Sequence, residues 1–531
     1  MPMNGSSTVL ARRPRIRTGC ATCRIRKVKC GEEKPSCLRC TSTGRKCDGY
    51  ALDPNADTMV IAGRQQTSSM VKVVSVHQVQ GENIQYLEFY YHCGGPRISG
   101  KFDHDFWART VLQMAQSETA VRHALLALSC LAKSESGTLK DARSGLVAVS
   151  KQKTMITHYN KALTQLVQRM AEPSYSPEVG LVCCLIFICL ESLRGNYDAA
   201  LTHYKSGLDI ISAFKNRSRC ITGPAENVRP DMIEEVILPL FTRNIATAII
   251  YGLPSEHVSF NSQYPIGTQE CIFNTILDAD LSAHNLRNMA FLLIRNLGTK
   301  IITQEPYTEE ELQELADCIA HHQVWLRALE KFERETNLSE EDVVAATMLK
   351  AIHVLMYVFA SRLLLQSQTD FDQHLDDFKA IVRYTKAYID ATQHTSSPNA
   401  AANFTFTIGI IPGLYLTACR CRCPVTRREA LALLERELPR EGLWDAQQHA
   451  VVARRVIELE ERNVDPVTGW PVESARIWST MIHGEMDDNG RFPVYFVVGH
   501  WGEGRGTPPI PPGGILPHDP NGRIWREWFV L

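Results

Sequence analysis

The sequence lacks the local motifs of the common catalytic sites. Its 531 residues contain no H-E-x-x-H, no G-x-S-x-G and no G-x4-G-K-[ST] motif. The glycine-rich stretch 499–506 is followed by Thr507 and two prolines, whereas a phosphate-binding loop must lead into a helix. We therefore expect a protein that is not an enzyme.

Long apolar runs are also scarce. The most apolar stretch, residues 179–190, lies between Glu178 and Glu191 and is much shorter than the roughly 20 residues that a membrane-spanning helix needs. We expect no other segment to reach that length, and thus no membrane partner. The first ten residues lack the basic start and apolar centre of a secretory leader. We expect an intracellular protein whose cysteines stay reduced.

Six of the 17 cysteines are concentrated near the amino end. They follow the pattern C-x2-C-x6-C-x6-C-x2-C-x6-C and are Cys20, Cys23, Cys30, Cys37, Cys40 and Cys47. Six thiolates would bind two tetrahedral zinc ions if two of them bridged both metals, because a closed structural site needs four ligands. Three disulfides are the alternative in so small a segment. The paired C-x2-C spacing and the expected reducing surroundings favour zinc.

Positive charge is concentrated in the same segment. Residues 1–50 carry twelve Lys or Arg against three Asp or Glu, while the remainder carries 45 against 55. Residues 24–29 place four cations, Arg24, Arg26, Lys27 and Lys29, on a stretch short enough for one or two helical turns. A basic helix held by metal can read DNA, and the lack of neighbouring aromatics favours duplex over single strands.

A second basic cluster precedes the cysteines. It consists of Arg12, Arg13, Arg15 and Arg17. Clustered arginines can contact phosphate or form part of a nuclear-import signal. A solvated charged tail is the alternative interpretation.

The cysteine segment resembles the fungal zinc-cluster (Zn2Cys6 binuclear) transcription factors, including Lys34 and Pro35 between its two halves. The resemblance implies two Zn²⁺ per chain, with Cys20 and Cys37 bridging the metals. One zinc would be held by Cys20, Cys23, Cys30 and Cys37, and the other by Cys37, Cys40, Cys47 and Cys20.

The resemblance also implies the contacts to DNA. Lys27, with Arg26 beside it, falls where the family contacts a CGG triplet in the major groove. A cation donating to guanine O6 and N7 is the commonest specific base contact. Arg24 and Lys29 would instead hold phosphates, which orient a protein on the duplex without reading sequence.

The rest of the chain predicts a large helical body. Apolar residues recur at helical spacing in several stretches, including Val121, Ala124, Leu125, Leu128, Leu131 and Ala132, with Ser117 placed to cap that helix. Thr308 with Glu311, and Ser339 with Asp342, are typical of helix starts, so we expect capped helices there and not a disordered acidic activation segment. Residues 102–107, 118–128, 193–201, 413–418 and 422–431 resemble the fungal-specific regulatory domain that follows the zinc cluster in one branch of these factors.

These observations predict a small Zn2Cys6 metal-cluster domain followed by a large all-α regulatory domain. The expected segments are a disordered basic arm (1–18), the zinc domain (19–50), a linker (51–82), the helical domain (83–463) and an irregular aromatic segment packed on it (464–531), with a possible strand at 492–498. No apolar heptads are sustained in the linker, so a homodimer through a coiled coil is not predicted, although other dimers stay possible.

The resemblance implies a nuclear, sequence-specific regulator of RNA polymerase II genes in a fungal metabolic or secondary-metabolite pathway. Its partners would be CGG-containing double-stranded DNA and the transcription machinery. The alternative is a zinc-stapled protein-interaction or co-regulator protein without base specificity of its own. A preference for CGG duplexes over scrambled duplexes would distinguish the two.

Overall fold

A computed structural model of the chain divides it into two compact units, Met1–Val73 and Val74–Leu531. It describes residues 20, 22–23, 26–31, 37–43, 47, 83–134, 137, 139, 142, 149–220, 232–250, 271–303, 305–364, 367–393, 403–482, 487, 491–498 and 524–531. The first unit contains the clustered cysteines and the second contains long helices, which confirms the predicted fold class. The basic arm, the linker and Arg24 lie outside the described residues.

Among the described residues of the first unit, the aliphatic side chains are Val28 and Leu38, too few to build a hydrophobic core. Its described part includes one short helix, α1 (Leu38–Thr41), and a helical turn at residues 22–23. The buried side chains there are cysteines, Cys20, Cys23, Cys37 and Cys40, with Val28 packed against them. The sulfur atoms thus occupy the place that a hydrophobic core fills in larger domains.

The second unit is built mainly from helices. They are α2 (Asn83–Phe89), α3 (Gly95–Ile98), α4 (Val111–Ser117), α5 (Thr119–Ser134), α6 (Val149–Met170), α7 (Pro177–Leu193), α8 (Tyr197–Cys220), α9 (Leu238–Ile250), α10 (Ile276–Thr303), α11 (Glu309–Glu335), α12 (Glu340–Ser361), α13 (Leu375–Gln393), α14 (Ile411–Arg420), α15 (Pro424–Leu434) and α16 (Ala446–Glu460). Single π-helical turns at Tyr90–Gly94, Phe106–Thr110 and Met232–Ile237 lead into α3, α4 and α9. Short 3-10 turns occupy Arg362–Leu364, Thr369–His374 and Glu473–Ala475.

The predicted apolar stripes lie in the core of this unit. The stripe of α5 is buried along its whole length. Helix α7 is apolar on every side, and all but the first of its residues are buried between neighbouring helices. This burial explains why residues 179–190 form the most apolar run in the chain without having membrane length.

Two of the three predicted helix starts are confirmed. The Thr308 side chain accepts a hydrogen bond from the Glu311 amide, and the Glu311 carboxylate accepts one from the Thr308 amide, which completes a capping box at α11. The Ser339 side chain caps α12 by accepting a hydrogen bond from the Asp342 amide. The prediction for Ser117 is wrong, because Ser117 ends α4 and its hydroxyl donates back to the Met114 carbonyl.

Helix α12 has the length and apolar composition of a membrane span, with 56% of its apolar window buried inside the protein. The expectation that no other segment reaches membrane length is therefore wrong. The helix packs on α10, α11 and α13, so its apolar surface is used within the helical body.

The segment after α16 is more regular than expected. It contains β3 (Ile477–Ile482), β4 (Arg491–Val498) and β5 (Ile524–Val530), which form an antiparallel sheet in the order β3-β4-β5. The strand prediction at 492–498 is confirmed. Phe492, Val494 and Phe496 alternate along β4 and join the core of α14 and α16, while Trp525 stacks on Phe496. Two shorter strands, β1 (Phe404–Thr405) and β2 (Arg440–Glu441), pair in parallel.

Some of the charged side chains buried in the second unit form ion pairs with one another. Glu460 of α16 receives hydrogen bonds from Arg422 at 2.9 Å and from Arg427 at 2.7 Å, and all three side chains are fully buried. Asp280 of α10 pairs with Arg243 of α9 at 2.8 Å. These pairs join parts of the chain that are distant in sequence.

Candidate metal centre and nucleic-acid interface

The six amino-terminal cysteines converge in the structure. Their sulfur atoms form two groups of four, Cys20, Cys23, Cys30 and Cys37, and Cys20, Cys37, Cys40 and Cys47, each with all sulfurs within 4.8 Å of one another. Cys20 and Cys37 belong to both groups. The membership of these groups is the one implied by the family resemblance.

The separations fit tetrahedral zinc. Zinc–sulfur bonds of about 2.3 Å place the sulfurs of one tetrahedron about 3.8 Å apart. The observed Sγ–Sγ distances are 3.6 Å for Cys20–Cys37, 3.7 Å for Cys23–Cys37 and 3.9 Å for Cys20–Cys40. Cys23 and Cys40, which belong to different groups, also lie 3.8 Å apart, so the sulfurs form one compact cluster. None of the six cysteines forms a disulfide in the described structure, so the three-disulfide alternative is not the arrangement found.

Backbone amides support these sulfurs. The Cys23 amide donates to Cys20 Sγ and the Cys20 amide donates to Cys30 Sγ, both at 3.4 Å. Hydrogen bonds of this kind favour the thiolate that a metal requires. Desolvation raises the pKa of the Cys40 thiol to about 12 in the absence of metal. Bound zinc would therefore have to displace a proton from this thiol.

The basic segment does not continue as a helix up to Cys30. Residues 22–23 are helical, Arg26 and Lys27 lie in a turn, and Val28 to Cys30 have no regular secondary structure. Lys27 has a φ of 54°, in the left-handed region that non-glycine residues seldom adopt. In the described part of this segment, residues 26–29, the one or two helical turns that the sequence predicted are therefore not formed.

The described cations are not equally available to DNA. Lys27 and Lys29 are exposed, whereas Arg26 is only half-exposed and its Nη1 is buried without a hydrogen-bonding partner in the described structure. Arg39 on α1 is an additional exposed cation that sequence reasoning did not single out. Its signal was its position inside the second C-x2-C pair.

Among the described residues, the remaining cysteines do not join a metal-binding group. Cys419 and Cys421 are buried and Cys423 is half-buried, and all three are free thiols. The alternating C-x-C-x-C spacing therefore places three thiols near one helix junction without assembling a third centre.

Family comparisons agree with this geometry. Residues 18–56 match the fungal Zn(2)-Cys(6) binuclear cluster domain, and residues 85–260 match the fungal specific transcription factor domain. The chain has the two domains of a fungal zinc-cluster transcription regulator. DNA binding and the regulation of transcription are accordingly the general function of this regulator.

Proteins that are similar to this chain are named as regulators of transcription. The aspercryptin biosynthesis cluster-specific transcription regulator atnN of Emericella nidulans is 24% identical over 91% of this chain and 94% of its own length. The transcription regulator lscL of Purpureocillium lilacinum is 28% identical over 41% of this chain and 55% of its own. The transcriptional regulatory protein moc3 of Schizosaccharomyces pombe is 46% identical over 12% of each chain. No solved structure matches the chain.

Proposed function

We propose that the chain binds two Zn²⁺ ions and reads CGG-type triplets in duplex DNA. The observation that carries the proposal is the pair of overlapping four-sulfur groups that share Cys20 and Cys37, with exposed Lys27 and Lys29 on the segment between two ligands. Four thiolates satisfy each tetrahedral zinc, and sharing two of them lets six cysteines serve two metals.

In this proposal zinc supplies folding energy and takes no part in chemistry. A segment with so few apolar residues gains little from burial, so metal–thiolate bonds must provide most of its stability. Lys27, assisted by Arg26, would donate to guanine O6 and N7. Arg24, Lys29 and Arg39 would hold phosphates, and so could Arg12, Arg13, Arg15 and Arg17 if these do not serve nuclear import.

We further propose that the protein acts in the nucleus, on RNA polymerase II genes of a fungal secondary-metabolite pathway, and has no enzymatic activity. The support is the relative named as specific to the aspercryptin biosynthesis cluster, which aligns with this chain over nearly its whole length. Because that relative shares only 24% of aligned residues, it supports the class of pathway and not the product of the pathway.

The test is a titration of the full zinc-loaded chain against a CGG duplex and a scrambled duplex at two salt concentrations. Specific readout predicts a preference for CGG that persists at the higher salt, because base contacts are less salt-dependent than phosphate contacts. Equal binding to both duplexes that collapses with salt would contradict base readout. It would favour the zinc-stapled co-regulator, whose specificity comes from a partner.

A further inference from the structure

The left-handed conformation of Lys27 has an identifiable structural cause. Among the described residues, Lys27 alone has a positive φ without being glycine. Such a conformation brings Cβ close to a carbonyl oxygen, so glycine would be favoured at this position on conformational grounds. A lysine held there indicates that surrounding contacts determine the backbone and that the side chain has a use.

The surrounding hydrogen bonds identify a helix-ending motif. The Arg26 amide donates to the Thr22 carbonyl at 3.2 Å, and the Val28 amide donates to the Cys23 carbonyl at 3.1 Å. The second bond spans five residues and encloses Lys27, as in the Schellman motif that closes helices. In that motif Lys27 is the first residue beyond the helix cap, Val28 is the second, and Cys23 lies in the last helical turn.

Val28 completes the motif through its side chain. The residue after the left-handed position commonly makes an apolar contact with the last turn of the helix. Val28 is half-buried and packs against the buried cysteine group, which includes Cys23. It is flanked by the exposed Lys27 and Lys29, so it fixes the segment to the sulfur cluster at the point between two cations.

We propose that Val28 is a positioning residue for base readout. By packing on the cysteine cluster, Val28 holds Lys27 in its left-handed conformation and fixes the direction in which the Lys27 side chain leaves the module. The inference rests on the proposed reading of CGG by Lys27. It adds that discrimination depends on an apolar side chain that need not itself touch DNA.

The test compares variants of the full zinc-loaded chain for binding to CGG and scrambled duplexes by fluorescence anisotropy. Val28→Ala is expected to lower the ratio of CGG affinity to scrambled affinity roughly tenfold, within the range for losing one well-placed base contact. Scrambled-duplex affinity and zinc per chain should stay unchanged, because phosphate contacts and ligands are intact. Val28→Ile should retain the ratio.

Leu38→Ala is the matched control, since Leu38 is apolar, belongs to the same unit and is 63% exposed. It should leave the ratio unchanged. An unchanged ratio in Val28→Ala would overturn the proposal. Equal loss on both duplexes together with loss of zinc would also overturn it, because Val28 would then only maintain the fold.

A measurement without DNA separates this inference from the proposed function. Lys27→Gly should raise the chelator concentration needed to remove half of the zinc, because glycine adopts a positive φ without strain. Suppose that the wild-type chain prefers neither duplex but Lys27→Gly still retains zinc more strongly. The proposed function and the role of Val28 in readout would then both be contradicted, whereas the left-handed turn at Lys27 would be supported. If Lys27→Gly loses zinc more readily, the strained turn itself is refuted.

Discussion

The described parts of the two units bury different kinds of side chain. In the described part of the first, the buried side chains are cysteines, and the sulfur atoms of each four-cysteine group lie within 4.8 Å of one another. In the second, large apolar clusters fill the space between helices, and internal charges such as Glu460 are neutralised by arginines. The first unit therefore depends on an ion from outside, whereas the second can draw its stability from its own side chains.

Zinc removal should produce the largest difference in behaviour between the two units. A chelator is expected to abolish CGG binding, because structural zinc supplies about 10–16 kcal/mol of apparent binding free energy in small zinc modules. The tryptophans all lie at residue 107 or later, so tryptophan fluorescence reports only the second unit. Its thermal transition should be unchanged by the chelator. A large downward shift would show that the second unit also depends on metal.

Cys37→Ser should remove both metals, because Cys37 belongs to both sulfur groups. Zinc per chain, measured by elemental analysis, is expected to fall from two to nearly none. Cys421→Ser is the control, since Cys421 is a buried free thiol of the second unit. Two zinc ions retained by Cys37→Ser would exclude its role as a bridge.

Glu460→Gln should destabilise only the second unit. It leaves the buried Arg422 and Arg427 without their shared carboxylate, which typically costs about 3–5 kcal/mol. The thermal transition followed by tryptophan fluorescence should move to lower temperature, with zinc content unchanged. Glu435→Gln, which removes an exposed pair with Arg454, should cost less than about 1 kcal/mol. Similar shifts in both variants would contradict the importance of burial.

Asp280 should make the second unit sensitive to acid. Burial raises the pKa of Asp280, but His284 and Arg243 outweigh burial and lower it to about 2. The resulting stabilisation is fully present above the unfolded pKa of about 3.9 and is lost as pH falls towards 2. It amounts to about 2–3 kcal/mol, since one pKa unit is about 1.4 kcal/mol.

Tryptophan-detected denaturant unfolding at a series of pH values measures this loss. Asp280→Asn should be less stable than the wild-type chain at neutral pH and should show a flatter decline below pH 4. An identical decline in both proteins would exclude Asp280 as a contributor.

Lys27→Ala should have the smallest effect, and it concerns binding and not stability. We expect a loss of about 1–3 kcal/mol in discrimination between CGG and scrambled duplexes. Competition binding measures that difference directly. Equal losses on the two duplexes would show that Lys27 only holds phosphate.

Sequence reasoning was strongest where local spacing determines structure. The C-x2-C pairs predicted the convergence of six thiols, and apolar residues at helical spacing predicted the buried face of α5. Capping signals at Thr308 and Ser339 located two helix starts, because a cap is a contact between residues three apart.

Features that depend on distant contacts could not be predicted in this way. Arg422 and Arg427 belong to a basic stretch whose burial is possible only because Glu460 is brought to it from another helix. The sheet of β3, β4 and β5 likewise needs partners from three separated segments. The left-handed turn at Lys27 could not be predicted, because lysine has no preference for a positive φ. In our proposal that turn is held by the packing of Val28 on the cysteines.

The boundary of the matched regulatory domain is not a boundary of the fold. The match ends at residue 260, yet Arg243 inside it is neutralised by Asp280 beyond it. Phe404 and Phe406 complete the apolar cluster of that matched region, and Arg440 donates to the Ser192 carbonyl within it. A fragment cut at residue 260 would expose apolar surface and leave a buried cation unpaired. A fragment of the regulatory body made for expression should therefore extend through β5.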